Sequence, residues 1–275
     1  MRKTFAISLA ALAAGIATPV MAQDDNGWGG LYIGGTAGYD ILNDDSIDTV
    51  TFDRGNNGTF GETVTTSTGA NAFSPGFCGG TATSTAPATG CDDDDNEFSY
   101  SARIGYDVPI GSNMIIGLVA EAGMNNLDDT ITAFSTTPAS YTFTRSVDYT
   151  AAIRGRLGWG QEMGLVYVTG GWLNAKMDNS FSTTNTINTF TQNDEKGWAQ
   201  GFQLGGGGEV KITDAISLGV EYLYNDVSNG DYSVTVGQGT AGLTNPFVLA
   251  GGVTMAPAEK DLSWHSLRAV VNFRF

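Results

Sequence analysis

Three features of this sequence predict an all-β fold, an eight-stranded antiparallel transmembrane up-and-down β-barrel with short periplasmic turns and long external loops. Apolar residues recur with a period of two in segment after segment, the signature of strands with one oily and one wet face. The segments are joined by connections that alternate long, short, long, short, long, short, long. Outer-membrane barrels segregate their loops in this way, and a soluble sandwich has no reason to. The charges inside the strands fall on one face only, as a bilayer around the other face would enforce.

The chain begins with Met1-Arg2-Lys3, an Ala-rich apolar run from Phe5 to Val20, and Val20-Met21-Ala22. A basic start, a short apolar stretch and a small-x-small ending make a secretory signal peptide over 1–22, cleaved after Ala22. Beyond it no window approaches the roughly 18 apolar residues of a membrane helix. An exported chain without such a helix is either soluble outside the inner membrane or a barrel, here over 23–275. The formal charge of -16 argues against nucleic acid, whose binders carry basic patches. Abundant Gly, Thr, Ser, Tyr and Phe favour strands over helices.

The first strand follows Trp28, with Leu31, Ile33, Gly35, Ala37 and Tyr39 on one face and Tyr32, Gly34, Thr36 and Gly38 on the other. A polar insert, about 40–96, is too long for a structureless loop of a compact soluble domain and is expected outside the cell. Phe98, Tyr100, Ala102, Ile104 and Tyr106 resume the alternation, and Pro109–Asn113 turns the chain. Ile116 to Met124 form the third strand, and a loop at about 125–145 leads to the fourth, Val147–Trp159. The fifth runs from Leu165 to Lys176, with Asn174 and Lys176 read as wet-face residues and Trp172 as lumenal. After a loop at about 178–196 come Trp198–Val210 and Ile216–Asn225, then a loop at about 226–261 and the closing strand, Leu262–Phe275.

The wet face carries Arg103, Glu121, Asp148, Arg154, Arg156, Lys176, Glu209, Glu221 and Arg268. An Arg or Lys facing lipid at the midplane would cost about 2–4 kcal/mol, which accounts for the partition. Five cations and four anions nearly cancel, and eight strands enclose a space that side chains just fill. The expectation is therefore a salt-bridged plug, with an ion-conducting filter as the alternative.

Four stretches carry a family resemblance: Gly30–Tyr39, Ile153-Arg-Gly-Arg-Leu-Gly158, Tyr167-Val-Thr-Gly-Gly171, and Gly208–Val210 with Val220-Glu-Tyr-Leu-Tyr224. With them the chain resembles the small outer-membrane β-barrel proteins of Gram-negative bacteria, the porin-like surface antigen group related to the OmpA-type transmembrane barrel. The resemblance covers the strands and none of the loops. It implies a closed, surface-exposed barrel without a cofactor. Phe275, with Phe273, matches the signal that such proteins present to the barrel assembly machinery. The chain departs from the OmpA pattern by lacking a peptidoglycan-binding domain after the barrel.

Cys78 and Cys91 share the first external loop and are expected to pair in an oxidising compartment, stabilising that loop by roughly 3 kcal/mol at most. Asp92–Asp95 with Glu97 offers clustered carboxylates to a calcium ion but lacks the alternate spacing and Gly of a calcium loop, so a solvated acidic tip is favoured over a metal site. His265, beside Trp264, has Ser263 and Ser266 nearby but no triad can be specified, so no catalytic or metal residue is assigned. Gly205–Gly208 precedes no helix and no Lys-Ser/Thr, so it is no phosphate loop. Within a barrel such glycines make room for bulky lumenal neighbours such as Trp172 and Tyr32, or for close strand packing. The function these features predict is a non-enzymatic outer-membrane protein for envelope integrity and surface interaction, in contact with lipid and lipopolysaccharide and presenting its loops to an external ligand or host surface. The alternatives are a narrow channel for ions or small solutes and a soluble secreted β-sandwich binder.

Overall fold

The computed structural model describes residues 27–43, 49–87, 90–194, 196–228, 230 and 232–275. The signal peptide expected over 1–22, with cleavage expected after Ala22, lies outside the described residues.

In chain order the first strands are β1 (Gly30–Leu42), β2 (Val50–Arg54), β3 (Gly76–Gly79), β4 (Thr81–Ala82), β5 (Cys91–Asp92), β6 (Glu97–Ile110), β7 (Met114–Ser135) and β8 (Ala139–Gly160). They are followed by β9 (Gly164–Thr183), β10 (Thr189–Asn193), β11 (Lys196–Lys211), β12 (Ile216–Ser228) and β13 (Ser233–Gly237), then a short helix, α1 (Pro246–Leu249), β14 (Val253–Pro257) and β15 (Asp261–Arg274). Eight of these form one antiparallel ring. The order β7-β6-β1-β15-β12-β11-β9-β8 is closed by pairing of β7 with β8. Closure leaves no unpaired edge to meet lipid, where an unsatisfied backbone group would be costly.

The first and last strands meet as the alternation requires, with Tyr39 opposite Leu267 and Ala37 opposite Ala269. Ile33, Ile104, Ile116, Leu157, Val168, Leu204, Val220 and Leu267 are exposed on the outside. An apolar band of this kind is stable only against hydrocarbon. Aromatic residues belt its outer edge: Tyr100 lies in register with Met124, which pairs with Tyr149, and Phe202 pairs with Trp172. Trp159, Phe273 and Phe275 are exposed at the periplasmic end.

The long connections are not structureless. β7 and β8 are 22 residues each and run well past the bilayer, so the loop expected at about 125–145 is in large part strand. A second sheet, ordered β10-β13-β14-β2, packs on this extension as a cap over the outer mouth of the barrel. Its inward residues Val50, Phe52, Val234, Val236, Val253 and Met255 meet Ile131, Ala133, Tyr141 and Phe143 of the β7–β8 extension. Phe73 and Phe247 fill the centre, with ring centroids 4.4 Å (Phe73–Phe52), 5.4 Å (Phe73–Tyr141) and 6.0 Å (Phe73–Phe247) apart.

Candidate functional site

The lumen is stacked in layers, from periplasm to exterior. At its base Trp28 is fully buried, donating from Nε1 to the Gln161 carbonyl (2.7 Å), with Lys211 and Arg274 over its ring at 4.8 and 4.9 Å. Gly160 leaves room for it, since a Cβ there would stand 2.7 Å from the Trp28 ring.

Above Trp28 lies a quartet. Arg156 pairs with Glu209 at 2.8 Å, and Arg274 with Asp107 at 3.1 Å and Glu209 at 3.5 Å. Ser217 and Asn272 donate to the other oxygen of Glu209 at 2.7 and 3.0 Å. Tyr32 stands beside both guanidiniums, 5.6 Å from Arg156 and 4.8 Å from Arg274.

The next layer is a quintet. Glu221 Oε1 receives Arg268 (2.8 Å), Arg103 (2.9 Å) and Arg154 (3.4 Å), while Tyr167 donates to Oε2 at 2.9 Å. Glu121 closes the same group through Arg268 (2.7 Å), Arg154 (2.9 Å) and Arg103 (3.4 Å). The Arg156 guanidinium lies 3.9 Å from the centre of the Tyr167 ring and so joins the two layers. Charge-assisted bonds of this kind are the strong ones, and here every carboxylate meets at least two arginines.

A polar layer and an apolar one complete the interior. In the first, Asn125 donates to Asp40 and accepts from Thr150 (3.0 Å), while Gln203, Asn225 and Ser266 form a chain with bonds of 2.7 and 2.9 Å. The second is an apolar seal of Leu127, Val147, Leu173, Met177, Val227, Leu262 and Trp264. Between the charged and apolar layers the void bounded by Asn125, Gln203, Asn225 and Arg268 is about 10 Å³. That is about one water probe sphere at most.

Of the nine lumenal charges expected from the sequence, seven come together in these two layers: Arg103, Glu121, Arg154, Arg156, Glu209, Glu221 and Arg268. Lys176 does not. It is on the outer face with Trp172, in register with Tyr149 and Trp198, and its Nζ sits 5.5 Å from the Tyr149 ring. There, at the edge of the hydrocarbon band, a lysine can extend its amine towards water. Trp172 is 47% exposed and is likewise turned outwards. The fifth strand carries apolar residues on both faces, Tyr167 and Leu173 inside and Val166 and Val168 outside, so alternation alone assigned its faces wrongly. Asp148 is the extra residue of a bulge between Val147 and Tyr149, out of register with β9, and lies outside the ion-pair layers.

Arg274 and Asp107 belong to the lower quartet although they stand near strand ends. Parity places both on the wet face, which was the available signal. Gly205–Gly208 lies in β11 opposite Leu223–Val220, and Gly207 leaves space for Tyr167, whose Oη would be 2.7 Å from a Cβ there. His265 points outwards, with Nδ1 2.7 Å from Tyr222 Oη and its ring stacked on Tyr222.

Outside the membrane, Cys78 and Cys91 are disulfide-bonded. The run Asp92–Asp95 is not uniformly solvated: Asp94 is half-buried and its Oδ2 accepts from the Thr130 amide at 2.7 Å. Burial, with the nearby charges of Asp129 and Asp128, pushes the Asp94 carboxyl up to about 6. Among the described residues no group of three or more His, Cys, Asp or Glu is placed to hold a metal ion.

A closed eight-stranded ring with a charged interior, an apolar exterior and aromatic belts defines an integral β-barrel membrane protein. Comparison with known proteins makes the assignment specific. Residues 8–275 match the outer membrane protein beta-barrel domain, and the chain belongs to that family, an outer-membrane protein of Gram-negative bacteria. It is similar to the 31 kDa outer-membrane immunogenic protein of Brucella melitensis, 22% identical over 182 residues that make up 65% of this chain and 66% of the relative, just under two thirds of its length. Among solved structures it is similar to the outer membrane protein OprG of Pseudomonas aeruginosa, with a TM-score of 0.44 and 11% identity, covering 90% of this chain and 97% of that one. It is also similar to the outer membrane protease OmpT of Escherichia coli, with a TM-score of 0.39 and 8% identity, covering 94% and 99%.

Proposed function

We propose that this protein is a closed, non-catalytic barrel that reinforces the outer membrane and displays a folded external cap for surface interaction. The observation that carries this reading is the filled lumen. Two charged layers, a polar layer and an apolar seal occupy it in succession, and a conducting path would have to displace all four. A non-catalytic role is supported by the chain's one histidine, which is turned out of the barrel and engaged by Tyr222. The name of the Brucella relative, an immunogenic protein, agrees with exposure of the cap at the cell surface.

On this reading lipid and lipopolysaccharide surround the aromatic belts, and the barrel assembly machinery receives the closing strand through Phe273 and Phe275. Planar-bilayer recording of the purified protein tests the closed barrel: membrane silence is expected, and reproducible unitary conductance would establish the channel instead. Protease treatment of intact cells tests the display, with cleavage expected within the cap and not within the barrel.

A further inference from the structure

The outward face of the cap sheet has a pattern that envelope reinforcement does not use. Thr191 pairs with Thr235, Thr235 with Thr254, Thr254 with Asp53, and Asp53 with Phe60. Directly paired residues share a face, so these five form one row across the strands. At about 4.8 Å per strand the row spans roughly 19 Å. A second row, nearer the barrel, contains Asn193 opposite Ser233 and Ala256 opposite Thr51. Apart from Thr191, the residues of both rows line a cleft of about 660 Å³, within the roughly 300–1,000 Å³ range of ligand pockets.

The walls select a ligand chemistry. Phe60 is 43% exposed at one end although it is in the external cap, where no hydrocarbon covers it. Its position is fixed, because both Asp53 carboxylate oxygens accept backbone amides of the intervening turn, from Asn57 (2.8 Å) and Gly58 (2.9 Å). That turn requires left-handed backbone at Gly55, Asn56 and Gly58. Arg145 is ion-paired with Asp129, and the lining as a whole holds two cations, Arg145 and Lys260, and two carboxylates, Asp53 and Glu259, so the cleft has no dominant sign. Asn193 reaches Thr235 at 3.1 Å and Thr254 reaches Asn56 at 2.9 Å, which orients hydroxyls that can both donate and accept. β13 and β14, which carry the middle of the floor, are paired on both sides, so the floor itself is read through its side chains and not through an open backbone edge.

We propose that this cleft binds a neutral oligosaccharide, whose hydroxyls exchange hydrogen bonds with the threonine and asparagine rows while a ring face stacks on Phe60. The proposal rests on the surface-display reading and specifies the ligand class for it. The same chemistry is supplied by polysaccharide of the cell's own envelope or by a foreign glycan.

The test uses the full-length protein folded in detergent, with two probes: a printed array of defined neutral and acidic oligosaccharides, and delipidated polysaccharide released from lipopolysaccharide of the same cells. Binding to at least one probe is expected, with neutral saccharides on the array preferred over acidic ones. Binding to the released polysaccharide alone identifies an envelope ligand, and binding to array glycans an external one. Phe60→Ala, and Thr235→Val combined with Thr254→Val, are each expected to weaken binding about tenfold or more, as loss of one aromatic or paired polar contact does. Heat-modifiable migration is expected to stay unchanged in both. Silence with both probes, preference for acidic saccharides, or wild-type binding in both variants overturns the proposal. If the cap is cleaved on intact cells and yet binds no saccharide, only this inference fails; if the cap is inaccessible there, surface display itself fails.

Discussion

The barrel and its cap are built with opposite polarity by one chain. In the barrel Arg154 and Glu221 are inside while Ile153 and Val220 face out. In the cap Val234 and Phe52 are inside while Thr235 and Asp53 face out or line the cleft. Both use period-two strands, so local structure does not distinguish them. The surrounding medium does: hydrocarbon makes an outward carbonyl or charge costly, and water makes an outward phenylalanine so. The two interiors therefore differ in what fills them: the barrel combines buried ion-pair layers with an apolar seal, whereas the cap is filled by apolar side chains.

That contrast is most directly broken by removing one carboxylate from the quintet. Glu221→Ala leaves Arg103, Arg154 and Arg268 with Glu121 alone, and Tyr167 loses its acceptor. Stripping one partner from a buried ionic group typically costs about 3–5 kcal/mol. Urea titration of heat-modifiable mobility is expected to show that loss in the barrel, with the cap still resistant to protease. A barrel of wild-type stability would mean that the ion pairs do not hold the interior.

The converse substitution is Phe73→Ala, at the junction of Phe52, Tyr141 and Phe247 in the cap. Truncating a buried phenylalanine costs about 3–5 kcal/mol, here confined to the cap. Limited proteolysis is expected to cut the cap readily, with barrel migration and urea midpoint unchanged. If the barrel is destabilised as well, the two regions form one cooperative unit.

These two regions also differ in how far the sequence disclosed them. The barrel was legible because bilayer thickness, face polarity and loop segregation all leave period-two marks, so β1, β6, β7, β11, β12 and β15 take the predicted faces. Lys176 and Trp172 were misplaced where β9 is apolar on both sides, and Asp148 where a bulge interrupts the count. The cap was missed. Val50-Thr-Phe52, Val234-Thr-Val236 and Val253-Thr-Met255 each alternate, but they are five-residue strands set in polar surroundings and paired across long sequence separations. Which of them meet is decided by the ring beneath, which brings the loop ends together. The lumenal layers were half legible: parity put Arg274 and Asp107 on the correct face, but only the stagger of neighbouring strands reveals that they meet Glu209 and Arg156.

A smaller effect is expected from the disulfide. Cys78 pairs in strand register with Thr132 on β7, so the loop it closes is already docked on the cap extension. Replacing both cysteines with serine is expected to cost the loop up to about 3 kcal/mol, the cost of opening so short a ring. Hydrogen exchange should accelerate within 76–96, while the barrel and the four-stranded cap sheet keep their protection. Faster exchange throughout the cap would show that the staple supports the whole region.

The finest distinction concerns pH, because the layers of the lumen are sealed from solvent and Asp94 is at the cap's edge. Its carboxyl is held at about 6, chiefly by burial, with the charges of Asp129 and Asp128 adding to the effect. A free aspartate titrates near about 3.9. Because the folded value is the higher one, the docked loop gains stability by taking up a proton. That gain is fully present below about pH 4 and is lost as the pH rises through about 6. The Thr130 amide, which donates to Asp94, reports the equilibrium directly. Its exchange, corrected for the intrinsic pH dependence, is expected to be slower at pH 5 than at pH 7.5. Asp94→Asn keeps an oxygen acceptor without the charge and should remove the difference, while Arg154 and Glu221 variants should not alter it. Equal protection at both pH values in the wild-type protein would show that the acidic loop is held by the Cys78–Cys91 bond and strand pairing alone.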